Sequence, residues 1–151
     1  MTIRRAEAGE AEAIAALINS AFGPAEGFFI EGDRISADGV REHFAKGAFL
    51  VAGDYAGCVY LEPRGDRAYL GLLSVAPERQ GGGLGKQLTA EAEDFAREQG
   101  ARFMDLRVVN LRHELPSMYR KLGYLETGTE PWPAGAPSKL PCSFICMTKA
   151  L

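Results

Sequence analysis

A run of glycines stands between a short apolar stretch and an amphipathic segment. Residues 80–86 read Gln-Gly-Gly-Gly-Leu-Gly-Lys, in a chain in which 18 of 151 residues are glycine. Glycine lets a ligand approach the backbone because no side chain intervenes. The first turn of a helix adds unpaired N–H groups and the positive end of the helix dipole. The run therefore predicts a loop that cradles a phosphate or pyrophosphate.

The spacing of this loop excludes two common phosphate motifs. The ATP-binding pattern Gly-x4-Gly-Lys-Ser/Thr fails, because Gln80 stands where its first glycine is needed and Gln87 replaces its Ser or Thr. The dinucleotide pattern Gly-x-Gly-x-x-Gly fails as well, because neither position 86 nor position 88 is glycine. The pattern that fits is Gln-x-x-Gly-x-Gly, formed by Gln80, Gly83 and Gly85.

A second segment with side chains that could take part in catalysis follows at residues 110–124, which read NLRHELPSMYRKLGY and contain Tyr119. Residues 73–77, LSVAP, lead into the glycine loop. Taken together, these segments resemble the acetyl-CoA signature and the second motif of the GNAT superfamily of N-acetyltransferases. The motif match is confined to about residues 72–86 and 110–124.

The resemblance implies acetyl-CoA as the acyl donor. In this family the loop amides hold the CoA pyrophosphate, and the backbone of the preceding strand binds the pantetheine arm beside a bulge. An asparagine at the end of the next strand often contacts CoA, although Asn110 stands about two residues further from the tyrosine than is usual. The implied cofactor-binding residues are Leu73, Ser74, Val75, Arg79, Gln80, Gly81, Gly82, Gly83, Leu84, Gly85, Lys86 and Asn110.

The resemblance also implies the catalytic groups. Tyr119 occupies the position of the tyrosine that protonates the departing CoA thiolate. A phenol of pKa about 10 needs help from the site to protonate a thiolate whose thiol has a pKa of about 8.5. Family members often carry an acidic base on the central strand, but residues 68–75 contain none. Glu62, on the neighbouring strand, is the predicted base. The alternatives are Glu31, Asp33, His113 and Glu114.

The acceptor pocket of this superfamily is walled by the first two helices and their connection. Here that segment contains Phe28, Phe29, Glu31 and Asp33, which would suit a cationic amine with an apolar part. The same residues are equally compatible with two core phenylalanines and two solvated acids.

Local signals predict the elements that carry these residues. Gly23-Pro24 predicts the end of a first helix, Ser36 predicts the cap of a second, and Gly100 predicts the end of a third. The predicted order is β α α β β β α β α β β. Together with the resemblance, it predicts a single domain over residues 1–151, of the α/β class. Its mixed, mostly antiparallel central sheet is flanked by helices.

Composition argues against a nucleic-acid partner, a membrane span and a metal site. A net charge of −3 gives no basic footprint for nucleic acid, and no apolar run reaches the length of a membrane span. The first residues lack the apolar core of a signal peptide, so we expect a cytoplasmic protein. Three cysteines without a second ligand pair predict no metal site. Many family members are dimers, so a homodimer is compatible with the resemblance.

The sequence therefore predicts an N-acetyltransferase that moves an acetyl group from acetyl-CoA to a small-molecule amine. The expected route is direct attack within a ternary complex. Two alternatives stay open. One is a non-catalytic acyl-CoA-binding or partner-binding module of the same fold, and the other is a transferase of a larger acyl group.

Overall fold

The computed structural model describes residues 1–151 as one sheet with helices on both faces. The strands are β1 (Ile3–Arg5), β2 (Ala48–Ala52), β3 (Gly57–Arg64), β4 (Arg67–Val75), β5 (Phe103–Val109), β6 (Leu125–Pro131) and β7 (Ser143–Ala150). The helices are α1 (Ala11–Glu26), α2 (Ala37–Phe44), α3 (Leu84–Glu98) and α4 (Leu115–Lys121), with single 3₁₀ turns at Ala8–Glu10 and Pro77–Arg79.

The seven strands lie in the order β1-β2-β3-β4-β5-β7-β6. Every neighbouring pair is antiparallel except β4 and β5, which run parallel. The predicted element order and the mixed, mostly antiparallel sheet are therefore confirmed. None of the helices has the length and apolar content needed to cross a membrane.

The alternation of side chains along β3 divides the core between the two faces of the sheet. Cys58 and Tyr60 pack with α1 and α2 on one face. Val59 and Leu61 pack with α3 and α4 on the other. This is the period-2 pattern of a strand that is covered on both sides.

The two parallel strands separate soon after they pair. Arg67–Tyr69 of β4 lies beside Phe103–Asp105 of β5, and the pairing stops there. On its other side β4 carries one extra residue, because Leu72 and Leu73 together stand opposite Val59 of β3. Leu72 has a left-handed backbone, with φ of 53°. This bulge bends β4 away from β5 and opens a gap in the middle of the sheet.

The first helix does not end where the sequence predicts. Gly23-Pro24 suggested its end, but α1 continues to Glu26 with Pro24 inside it. A proline removes one ladder hydrogen bond, to the carbonyl four residues earlier. The last turn is nevertheless held, because Gly27 N–H donates to the Gly23 carbonyl at 2.9 Å and Glu26 is ion-paired to Arg112. A tertiary contact thus outweighs the local signal.

Candidate active site

The glycine loop joins the end of β4 to the start of α3. Gly81 and Gly83 have φ of 86° and 83°, a conformation that favours glycine. None of the backbone N–H groups of residues 81–86 has an acceptor within the protein. A Cβ at Gly85 would meet nothing nearer than Val75 Cγ2, at 3.7 Å, so the protein's own packing does not require glycine there. The loop offers a row of free donors and open space in front of them.

Two side chains tie this loop to the strand and keep it in place. Gln80 Nε2 donates to the Val75 carbonyl at 3.1 Å. Leu84, the first residue of α3, is buried in the core. Arg79 and Lys86 are exposed at the two ends of the loop, where they make its surroundings positive. The geometry suits an anionic ligand.

A cavity of about 300 Å³ extends from this loop into the gap between β4 and β5. We call it the inter-strand cavity. Leu73 and Val75 line it from β4, Val108 from β5, and Met118 and Tyr119 from α4. Pairing between β4 and β5 stops at Tyr69, so the edge of β4 that faces β5 has no partner strand around Leu72 and Leu73. Ser74 is buried and supports the bulge, since its Oγ donates to the Leu72 carbonyl at 2.9 Å.

The Tyr119 side chain is packed firmly in this cavity, but its hydroxyl makes no hydrogen bond within the protein. Its side chain is buried, and its ring packs edge-on against Tyr124 with centroids 5.7 Å apart. Tyr124 is itself anchored, because its hydroxyl donates to Glu93 Oε2 at 2.9 Å. Burial raises the pKa of Tyr119 to about 12. The hydroxyl therefore stays protonated at neutral pH.

A second, larger cavity of about 820 Å³ lies toward α2, and we call it the outer cavity. His43, Tyr60 and Glu62 line one side of it, and Asp105 and Glu130 line the other. The residues that it shares with the inter-strand cavity are Arg34, Tyr69, Gly71, Leu72, Leu106 and Arg107. The two cavities therefore adjoin at the bulge of β4.

Glu62, the predicted base, lines the outer cavity. Its Oε1 accepts from the Tyr60 hydroxyl at 2.8 Å and its Oε2 accepts from Arg64 Nε at 2.6 Å. Burial alone would raise the pKa of Glu62, but the hydrogen bonds from Arg64 and Tyr60 outweigh it and lower that pKa. The carboxylate is therefore ionised at neutral pH.

Asn110 lies outside both cavities. Its Oδ1 accepts from the Ser143 backbone N–H at 3.0 Å, and its own N–H donates to the Ser143 carbonyl at 2.9 Å. These two bonds align the start of β7 with the end of β5. The side chain thus makes a structural contact, and its predicted contact with CoA stays a prediction.

The residues predicted for the acceptor pocket also lie outside these two cavities. Phe28 is exposed, while Phe29 is fully buried in a small cluster with Val109 and Phe144. Glu31 is exposed, and Asp33 lines a separate cavity of about 40 Å³. Their role in substrate binding stays a prediction. No group of three or more His, Cys, Asp or Glu side chains is arranged to hold a metal ion.

Sequence reasoning missed an ion pair at the inner end of the inter-strand cavity. Glu26 is 4% exposed, and its Oε2 accepts from Arg112 Nη1 at 2.9 Å. Its Oε1 is buried without a hydrogen-bond partner, and Arg34 Nε lies 3.9 Å away. Burial raises the pKa of Glu26. No local pattern could have indicated this pair, because its two residues are 86 positions apart.

His43 and Glu114 are two further titratable residues of this region. His43, on α2, is half-buried in the wall of the outer cavity, with its ring centroid 4.6 Å from that of Tyr60. Glu114, one of the alternative bases, is exposed and accepts from Arg112 Nε at 2.7 Å, which lowers its pKa.

Comparison with known proteins identifies the family of this chain. Residues 11–124 match the acetyltransferase (GNAT) family model. The chain belongs to the GNAT acetyltransferase family. Over 106 residues, 66% of this chain, it is 32% identical to streptothricin acetyltransferase of Streptomyces lavendulae, and the match spans 56% of that relative's length.

Solved GNAT structures share the whole fold of this chain. The ribosomal-protein-S18-alanine N-acetyltransferase of Escherichia coli superimposes with a TM-score of 0.79 at 19% identity, covering 99% of this chain and 92% of the other. A GNAT family acetyltransferase of Elizabethkingia anophelis, solved with acetyl-CoA bound, gives 0.76 at 19% identity, covering 99% and 97%. At these identities the likeness concerns the fold.

Proposed function

We propose that this GNAT protein is an acetyl-CoA-dependent N-acetyltransferase that acts on a small-molecule amine. One observation carries the proposal: the two cavities adjoin at the bulge of β4, and the first of them ends at a loop with free N–H groups. Such an arrangement lets a donor and an acceptor meet in the middle of the sheet from opposite sides.

The donor site follows the inter-strand cavity. The free N–H groups of residues 81–86 would bind the pyrophosphate, assisted by the exposed cations Arg79 and Lys86. The backbone of Leu73 and its neighbours in β4, which lacks a partner strand on the β5 side, would hold the pantetheine arm. Gly85 supports the fit of acetyl-CoA to this loop, because the absence of a side chain there leaves space that the protein's own packing does not use.

The chemistry is a direct transfer. Acetyl-CoA supplies the acetyl group as a thioester, and the amine nitrogen bonds to the acetyl carbon as the carbon–sulfur bond breaks. The Leu73 N–H is the proposed donor to the carbonyl oxygen, where negative charge develops. Leu73 supports this role because it lies in the part of β4 that has no partner strand on the β5 side.

Tyr119 is the proposed donor of a proton to the CoA sulfur. Burial raises the pKa of Tyr119 to about 12, which keeps the proton available but makes its transfer harder. The same burial disfavours a charged thiolate in this cavity, so it raises the pKa of the sulfur too. The two effects oppose one another, and the transfer stays feasible.

Glu62 is the proposed acceptor of the proton that the amine must lose before it attacks. It is ionised and lines the cavity through which the amine would enter. Each of its oxygens accepts one hydrogen bond and keeps capacity for a second, from the amine or from a water molecule.

A small amine is favoured because the outer cavity is a bounded pocket within the range of small-molecule sites, about 300–1,000 Å³. The relation to streptothricin acetyltransferase supports a small-molecule acceptor in the same way. A cytoplasmic location and a homodimer belong to the proposal as expectations of the sequence and of the family.

The test is a screen of amines for acetyl-CoA-dependent release of free thiol, with acetyl-CoA binding measured separately by calorimetry. Thiol release with at least one amine is the expected result. Binding of acetyl-CoA without turnover of any amine would favour a non-catalytic module. Faster turnover with a longer acyl-CoA would favour the larger acyl group.

A further inference from the structure

The walls of the outer cavity carry more positive than negative side chains. The cations are Arg34, Lys46, Arg64, Arg67 and Arg107, and the carboxylates are Glu62, Asp105 and Glu130. A cavity that received a polycationic acceptor would be expected to show the opposite balance.

Each of the three carboxylates is already bound to an arginine of the same wall. Arg64 Nε donates to Glu62 at 2.6 Å, and Arg107 Nη1 donates to Glu130 at 3.1 Å. Asp105 accepts two bonds of 2.7 Å from Arg67 and a third, of 2.6 Å, from the Thr148 hydroxyl. Each carboxylate charge of this wall is therefore balanced by an arginine, and Arg34 and Lys46 remain as excess positive charge.

The unused hydrogen-bonding capacity of the wall consists mainly of donors. The Lys46 ammonium forms no ion pair and no hydrogen bond, although it lies close enough to Glu62 to lower the pKa of that carboxyl. Arg34 comes no nearer than 3.9 Å to Glu26, whose other oxygen is bound to Arg112. A guanidinium has five N–H donors and an ammonium has three. These donors need an anionic or oxygen-rich partner.

We infer that the acceptor amine of the proposed reaction carries a second, anionic group, a carboxylate or a phosphate, which Lys46 and Arg34 bind. The inference rests on the proposed N-acetyltransferase function and deepens it by naming the acceptor class. It also reverses the sequence-based expectation of a cationic acceptor. That expectation depended on Glu31 and Asp33, which lie outside the outer cavity.

Binding by Lys46 and Arg34 would give the anionic group of the acceptor a specific role. An anion bound by Lys46 and Arg34 would orient the molecule in the outer cavity, so that its amine faces the bulge of β4. Charge-assisted hydrogen bonds of this kind are directional and strong. Removing the anion should therefore raise the KM for the acceptor.

The experiment uses substrate pairs that differ only in the anionic group. Amino acids are compared with their amides, and phosphoethanolamine is compared with ethanolamine, by thiol release from acetyl-CoA. We expect at least about tenfold higher kcat/KM for the anionic member of a pair that is turned over. A preference within the amino-acid pairs indicates a carboxylate as the anionic group, and a preference for phosphoethanolamine indicates a phosphate.

Variants then connect the preference to the two cations. Lys46→Gln and the double variant Lys46→Gln/Arg34→Gln should lower the ratio of kcat/KM between the anionic and the neutral member of the pair toward one. Arg102→Gln is the control, because Arg102 is exposed and lies outside the outer cavity. It should keep the wild-type preference.

Equal turnover of anionic and neutral members would overturn the inference and leave the proposed function intact. A preference that survives in the double variant would also overturn it. Absence of thiol release with every amine, despite acetyl-CoA binding, would remove the proposed function itself and the inference with it.

Discussion

Gly83 and Gly100 offer a matched test of the glycine loop, because they flank the two ends of α3. Both have a left-handed backbone, with φ of 83° and 89°, and neither has an atom within 4 Å of the place a Cβ would take. Alanine at either position therefore meets only the backbone penalty, about 1–2 kcal/mol. Both substitutions add the same methyl group to the same backbone conformation, but only Gly83 lies in the glycine loop.

The contacts around each glycine decide whether the backbone penalty of alanine lowers the stability of the protein or its affinity for acetyl-CoA. Gly100 is held by the end of the helix, since its N–H donates to the Arg97 carbonyl at 3.0 Å and Ala101 N–H donates to the Ala96 carbonyl at 2.9 Å. Gly100→Ala should therefore lower the free energy of unfolding by about 1–2 kcal/mol. The loop around Gly83 is exposed and its N–H groups have no acceptors, so Gly83→Ala can relax when no ligand is bound.

Ligand binding must then restore the left-handed backbone of the Gly83→Ala variant. The same penalty corresponds to about 5- to 30-fold weaker binding of acetyl-CoA, with a smaller loss of stability. Calorimetry with acetyl-CoA and urea unfolding would measure the two quantities. A Kd for Gly83→Ala within twofold of the wild type, or an equal rise in Gly100→Ala, would refute the role assigned to the loop.

Three further predictions concern polar side chains that line the two cavities. Tyr119→Phe should lower kcat at least about tenfold, with little change in the KM for acetyl-CoA, and an unchanged kcat across pH would remove its acid role. Arg112→Ala leaves the Glu26 carboxylate uncompensated and should cost about 3 kcal/mol in urea unfolding, part of which Glu26→Gln in the same chain should recover. Arg67 lowers the pKa of Asp105, so this carboxylate stabilises the fold above its unfolded pKa of about 3.9. That contribution is lost as the pH falls through the folded pKa, and Asp105→Asn should show a shallower loss on acid titration.

The elements of this fold follow largely from local signals. Ser36 is predicted to cap α2, and its Oγ accepts from the Gly39 N–H at 3.0 Å. Gly100 is predicted to end α3, and it stands just beyond the helix with a left-handed backbone. Such signals act within a few residues, so a single sequence contains them.

The shape of the site depends on contacts that no local pattern contains. The bulge of β4 requires Leu72 in a conformation that leucine rarely adopts, and it is stabilised by the buried Ser74 hydroxyl. The resemblance implied such a bulge, but the residues themselves did not. The continuation of α1 past Pro24 depends on Arg112, which is remote in the chain.

The pairing of charges in the outer cavity is similarly hidden in the sequence. Arg67 and Asp105 are 38 positions apart, and they meet because β4 and β5 run side by side at that point. A count of acidic residues near Phe28 and Phe29 favoured a cationic acceptor. In the structure, each carboxylate of the outer cavity is paired with an arginine, while Lys46 and Arg34 have no partner within hydrogen-bond distance.

Amide hydrogen exchange with and without acetyl-CoA tests the central claim most directly. The donor is proposed to lie along the bulge of β4 and across the glycine loop, where the N–H groups of residues 81–86 have no protein acceptor. Acetyl-CoA should slow exchange at residues 72–75 and 81–86, and it should leave the exposed edge strand β6 unchanged. Binding of acetyl-CoA without protection at either of these two segments would contradict the account.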